Sequence, residues 1–89
     1  MNRFQRTRQD HSQETAEDYV ELIGDLIRTK GEARAVDLAN HFGVSQVTVG
    51  KTVQRLVREG LVTKEPYRSL FLTKKGEKMA LEAEKRHQV

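Results

Sequence analysis

The chain has no cysteine, so neither a disulfide framework nor a thiolate metal site is available to brace it. No apolar run approaches the roughly 20 residues a membrane-spanning helix needs. The N-terminus is basic and polar with no apolar segment behind it, so no secretory signal is readable, and the composition points to the cytoplasm. Internal repeats and low-complexity tracts are missing as well. With 89 residues the chain forms one small domain. A domain of this size buries only about two thirds of its unfolded surface and has no room for a large substrate pocket. It also lacks a Ser/His/Asp set and a phosphate-binding Gly-rich loop, so enzymatic activity is not expected.

What the chain does have is charge, unevenly spread. Charged residues make up 33%, and the net charge is +3. Residues 1–13 carry +2, residues 14–29 carry −4, residues 30–75 carry +5, and residues 76–89 are neutral. One acidic segment is thus set against a basic middle, as expected when one part of a chain meets a polyanion and another does something else.

Residues 1–13 have Phe4 as their one large hydrophobe and no apolar periodicity, which predicts a disordered basic arm. From Ser12 or Thr15 onward, Tyr19, Val20, Leu22, Ile23, Leu26 and Ile27 mark a helix face that ends at Gly31. The acids of this helix cluster in its first turns, where the positive end of the helix dipole favours them. Val36, Leu38, Ala39 and Phe42 predict a short second helix ending at Gly43.

The stretch VSQVTVGKTVQRL, Val44–Leu56, has β-branched residues and an interior glycine. Yet Val49, Val53, Leu56 and Val57 recur at helical spacing, predicting a third helix from about Gln46 to Glu59, capped by Ser45 and stopped by Gly60. Gly50 is its weak point, read as a place where a side chain is unwelcome to a neighbouring helix or a DNA backbone. The period then falls to two: Leu61 and Thr63, then Leu70 and Leu72, flank Glu65-Pro66-Tyr67-Arg68-Ser69 as a hairpin. Thr73 caps a last helix with Met79, Ala80 and Ala83 as its apolar stripe, up to His87.

This order, mainly α with a small β-hairpin wing, is that of a winged helix-turn-helix. Ala39 serves as the small residue where two helices cross and Gly43 as the turn glycine, with Leu38, Phe42, Val44 and Val49 locking the pair. The third helix would then read DNA. Lys51 suits guanine O6 and N7, Val47 a thymine methyl, and Ser45 and Thr48 the phosphates; Gln46, Gln54 and Arg55 share the same helix. Lys64 and Arg68 charge the wing, and Lys74 and Lys75 lie behind it. Because these cations are not strung along one amphipathic helix, a membrane-surface role fits poorly.

The stretch EDYVELIGDLIRTKGEARAVDLANHFGVSQVTVGKTVQRL, followed by LFLTKKGEKMA and KRHQV, resembles the DNA-binding domain of manganese transport regulators in the diphtheria-toxin-repressor family. The resemblance covers about residues 15–89. It implies a homodimeric, metal-activated repressor of metal-uptake genes that binds a palindromic operator. It also implies that Asp18 and Glu21 of the EDYVE motif, with His87 of the RH motif, supply metal ligands. Without the resemblance, Asp18 and Glu21 are helix N-terminal acids and His87 is an exposed residue at a helix end. Two carboxylates and an imidazole suit Mn²⁺ or Fe²⁺ better than a soft metal. His11 and His41 match no ligand motif and are read as surface residues.

The family continues into a helical domain that brings further ligands and most of the dimer interface, whereas this chain stops at Val89. That domain is therefore read as absent, and an incomplete metal site is expected here. The rival expectation is a metal-independent winged-helix module, or a fragment acting through dimerisation.

Overall fold

Ala16, Tyr19, Val20 and Ile23 recur three and four residues apart and are all buried, which fixes one face of helix α1 (Arg3–Lys30) against the rest of the chain. The computed structural model describes the backbone of residues 3–65 and 69–87, and the side chains of 13–65 and 69–86. Helix α1 includes most of the segment expected as a basic arm, its backbone being helical from Arg3. No proline or glycine interrupts residues 3–13, and a helix already nucleated on a buried face extends at little cost.

Helix α2 (Ala35–Phe42) and helix α3 (Gln46–Arg58) form the helix-turn-helix. Gly43 ends α2 with φ +68°, a conformation glycine adopts without penalty, and the Val44 amide donates back to the Ala39 carbonyl at 3.1 Å. Leu38 and Val49 are fully buried and Ala39 nearly so, as the crossing requires. Phe42 stacks on Tyr19 of α1, with ring centroids 4.7 Å apart. Val44 departs from the expected locking role: it is 38% exposed at the turn. Val53 is buried, at 5% exposure.

After α3 the chain closes on itself. Gly60 has φ +75°, its amide donates to Val57, and the Leu61 amide reaches back to the Leu56 carbonyl at 2.9 Å. This is a Schellman cap, in which the residue after the glycine packs inward. Leu61 is therefore buried as part of a helix cap, and the strand alternation begins one residue later than expected. In β1 (Val62–Lys64), Val62 is buried and Thr63 exposed. β1 pairs antiparallel with β2 (Leu70–Leu72), Val62 opposite Leu72 and Lys64 opposite Leu70. Arg34 forms a bridge with Ser69, and the Leu70 amide donates to the Ala33 carbonyl, tying the start of α2 to the wing.

Helix α4 (Lys74–His87) starts at Thr73, whose Oγ1 accepts from the Gly76 amide and donates to the Gly60 carbonyl. One hydroxyl thus joins the cap of α4 to the end of α3. Ala83 is fully buried, with Met79 and Ala80 half-buried beside it, and α4 lies along α1. Ile23, Leu38, Leu56, Leu61 and Leu70 form the centre of one core, each contributing about 1.5–3 kcal/mol by leaving water. No helix among the described residues is long and apolar enough to cross a membrane.

Candidate nucleic-acid interface

Ser45 sets the start of α3. Its Oγ accepts from the Thr48 amide at 3.1 Å and its hydroxyl donates to Thr48 Oγ1, also at 3.1 Å. The Ser45 proton is thereby committed inside the protein, and of the two hydroxyls Thr48 keeps the one whose proton can turn to a phosphate. Val49, Val53 and Leu56 face the core, so the opposite side of α3 is set by spacing alone.

That opposite side carries Val47, Lys51, Gln54 and Arg58, at i, i+4, i+7 and i+11, all exposed. Val47 is 69% exposed, an apolar side chain held out from the N-terminal end of a helix with nothing of its own to cover it. Gln46 is exposed beside it. The fold therefore brings Gln46, Val47, Thr48, Lys51 and Gln54 together on one surface. A methyl-bearing contact, an ammonium and an amide in line are the groups that read base edges in a major groove.

Arg55 is drawn aside from this surface. It is half-buried, and its Nε, withdrawn from solvent, lies 3.5 Å from Glu59 Oε2. Arg58 holds the outward place that the sequence reading gave to Arg55. The signal was present: Arg58 follows Gln54 by four residues and Lys51 by seven. Lys64 is exposed at the end of β1, across a groove from Gln54 and Arg58. Arg68 lies outside the described residues. Lys74 is exposed, whereas Lys75 donates from Nζ to the Glu59 carbonyl at 3.0 Å and so caps the C-terminal end of α3.

A different chemistry occupies α1. Asp18 is exposed and Glu21 half-buried one turn later, and both line a hollow of about 350 Å³ completed by Leu22, Asp25, His41 and Phe42. His41 stands edge-on to Phe42 and is otherwise exposed, as expected of a surface residue. Arg86 near the end of α4 meets Glu17 Oε2 at 2.6 Å, which brings the last turn of α4 to the turn of α1 that carries Asp18. The side chains of His87 and His11 lie outside the described residues. Among the described residues no three His, Asp or Glu groups are gathered to hold a metal ion. The donors that are placed, two carboxylates on neighbouring turns of one helix, fit a hard divalent cation and not a soft one.

A family described as iron dependent repressor, N-terminal DNA binding domain, matches residues 11–70. The chain belongs to this family. The iron dependent repressor match covers α1 from residue 11 onward, the helix-turn-helix and β1, and reaches the first residue of β2. Among the relatives, the transcriptional regulator MntR of Escherichia coli O6:H1 is 52% identical over 86 residues, covering 97% of this chain and 56% of its own length. The HTH-type transcriptional regulator MntR of Listeria monocytogenes serotype 4a is 44% identical over 71 residues, 80% of this chain and 50% of its own. The chain thus spans little more than half the length of the curated relatives it matches. A solved structure of the manganese regulator SloR superposes with a TM-score of 0.64 at 32% identity, over 73% of this chain and 30% of that one. The winged helix-turn-helix expected from the sequence is the architecture found.

Proposed function

We propose that this chain is the DNA-binding part of a manganese-responsive, sequence-specific transcriptional repressor of metal-uptake genes, acting in the cytoplasm as a homodimer on a palindromic operator. The observation that carries the reading is the outward row Val47, Lys51, Gln54 and Arg58 on a helix whose other side is locked in the core. Lys51 would discriminate guanine and Val47 a thymine methyl, while Ser45 holds the helix end and Thr48, Arg58, Lys64 and Arg68 grip phosphates. Gln46 and Gln54 extend the polar surface on either side. Arg55 would act from inside, by fastening the last turn of α3 through Glu59.

In the metal-responsive half of this proposal, Asp18, Glu21 and His87 would be the ligands. A bound Mn²⁺, or Fe²⁺ in its place, would supply two positive charges to the acidic segment 14–29. Asp18 and Glu21 are held on one face by the buried row of α1, and the Arg86–Glu17 ion pair keeps the end of α4 beside them. Names among the relatives favour manganese, being those of MntR and the manganese regulator SloR.

The test is a mobility shift with the chain and a duplex enriched from a random-sequence pool. Manganese is expected to tighten binding, and Lys51→Ala to relax discrimination at one base by about 1–3 kcal/mol. Sequence-specific binding that ignores manganese would leave a metal-independent winged-helix module. Failure to enrich any sequence would remove the DNA reading.

A further inference from the structure

Gly50 occupies the middle of α3 without any internal reason for being glycine. Its φ is not positive, since the glycines with positive φ are Gly31, Gly43 and Gly60. A Cβ built on it meets nothing within 4 Å, so neither the backbone nor the packing of this chain excludes a side chain there. A helix-interior glycine nevertheless lowers stability relative to alanine. The neighbouring-helix half of the sequence reading is thus removed, and what remains lies outside the protein.

Gly50 opens onto a groove of about 590 Å³ that separates α3 from the base of the wing. Val53, Val57, Ala35 and Leu70 make its floor apolar, and Gln54, Arg58 and Lys64 form its rim. No acid lines it. Among the described residues, neither Arg58 nor Lys64 is engaged in an ion pair, although five other cation–carboxylate pairs form. Two uncommitted cations and an amide around an apolar floor match a ligand that is anionic at regular intervals and apolar between them. A sugar-phosphate strand has that character, its deoxyriboses lying between its phosphates. A helix inserted in a major groove has a backbone strand running along each side of it, so such a strand would lie beside α3 wherever α3 enters DNA.

We infer that the groove between α3 and the wing seats one DNA sugar-phosphate strand, and that Gly50 is glycine so that this strand can approach the α3 backbone. The inference rests on the DNA-binding reading and adds to it a position that controls affinity without touching a base.

The test uses the full chain, its Gly50→Ala and Gly50→Leu variants, and Lys51→Ala for comparison, on the duplex enriched with the parent. Gly50→Ala is expected to raise the thermal midpoint by about 4–8 °C, the helix gain for a domain of this size, and to weaken binding. Gly50→Leu should remain folded, because the space is open, and weaken binding roughly tenfold or more. Ethylation of individual phosphates supplies a readout that stability alone does not move. In the parent, ethylating the phosphates between the α3 and wing footprints should block binding; in Gly50→Leu that interference should vanish while interference elsewhere persists. Lys51→Ala should change base discrimination and leave the interference pattern intact. Binding by Gly50→Leu within about twofold of the parent, with an unchanged interference pattern, would overturn the inference and assign the groove to another occupant. Loss of binding by the parent itself on every duplex would instead sink the DNA reading, and the groove assignment with it.

Discussion

A methyl group added to Gly76 would be driven into the carbonyl oxygen of Leu61, a backbone atom that cannot swing aside. Gly76 lies in the first turn of α4, and its own amide donates to Thr73 Oγ1, so α4 cannot retreat without losing its cap. Gly76→Ala is therefore expected to destabilise the fold by about 1–3 kcal/mol or more, read as a lower urea midpoint; a midpoint at or above the parent's would show that the α3–α4 junction is loose. Gly50 and Gly76 are both helix-interior glycines in the sequence, yet one is required by the protein's own packing and the other is not. Ser45 poses a simpler question at the same scale. Ser45→Ala removes the hydroxyl that accepts from the Thr48 amide, a loss of about 1 kcal/mol in chemical unfolding. If stability is unchanged, the cap is made by something other than that hydroxyl.

Helix α3 divides its arginines between structure and surface, and the division decides what each substitution does. Arg55 is held against Glu59 within the helix, whereas Arg58 projects in line with Lys51 and Gln54. Arg58→Gln should weaken binding to all duplexes about equally and reduce the salt slope by about one, the signature of a single lost phosphate contact. Arg55→Gln should leave that slope in place and act mainly on stability; equal slopes for the parent and Arg58→Gln would place Arg58 away from the DNA. The helix itself was legible in the sequence because Val49, Val53 and Leu56 keep a helical period that outweighs β-branching and an interior glycine. The half-buried place of Arg55 was less so, because Arg55 adjoins Leu56 of the core row and its inward turn goes with its pairing to Glu59. The same holds for Leu61 and Val44. Leu61 is buried by a helix cap and not by strand alternation, and Val44 stays exposed at the turn.

Across the whole molecule the acidic and basic surfaces are joined by rigid contacts. The Tyr19–Phe42 stack fixes α1 to the helix-turn-helix, the Arg86–Glu17 pair fastens the end of α4 to α1, and Leu72 and Thr73 lead from the wing into α4. A cation held by Asp18 and Glu21 together with His87 would grip α1 and α4 at once, and a ligand bound only by the folded state stabilises all of it by mass action. At one hundred times its dissociation constant the gain is about 2.7 kcal/mol, which in a domain of this size raises the thermal midpoint by roughly ten degrees or more. Manganese is expected to produce such a rise in the parent and not in Asp18→Asn/Glu21→Gln, while magnesium, which sheds its waters reluctantly, should do much less. An equal rise in the double variant would mean that the cation binds elsewhere. The same variant separates two ways a cation can favour DNA. If the effect were only to cancel negative charge near the phosphates, Asp18→Asn/Glu21→Gln would bind the enriched duplex without manganese, since neutral amides cancel that charge permanently. If the cation acts by holding α1 and α4 together, the amides cannot replace it, and the variant should bind weakly whether manganese is present or not. Binding is expected to follow the second pattern, because Asp18 and Glu21 lie on α1, away from the outward row of α3, and the packed helices between them transmit position more effectively than charge.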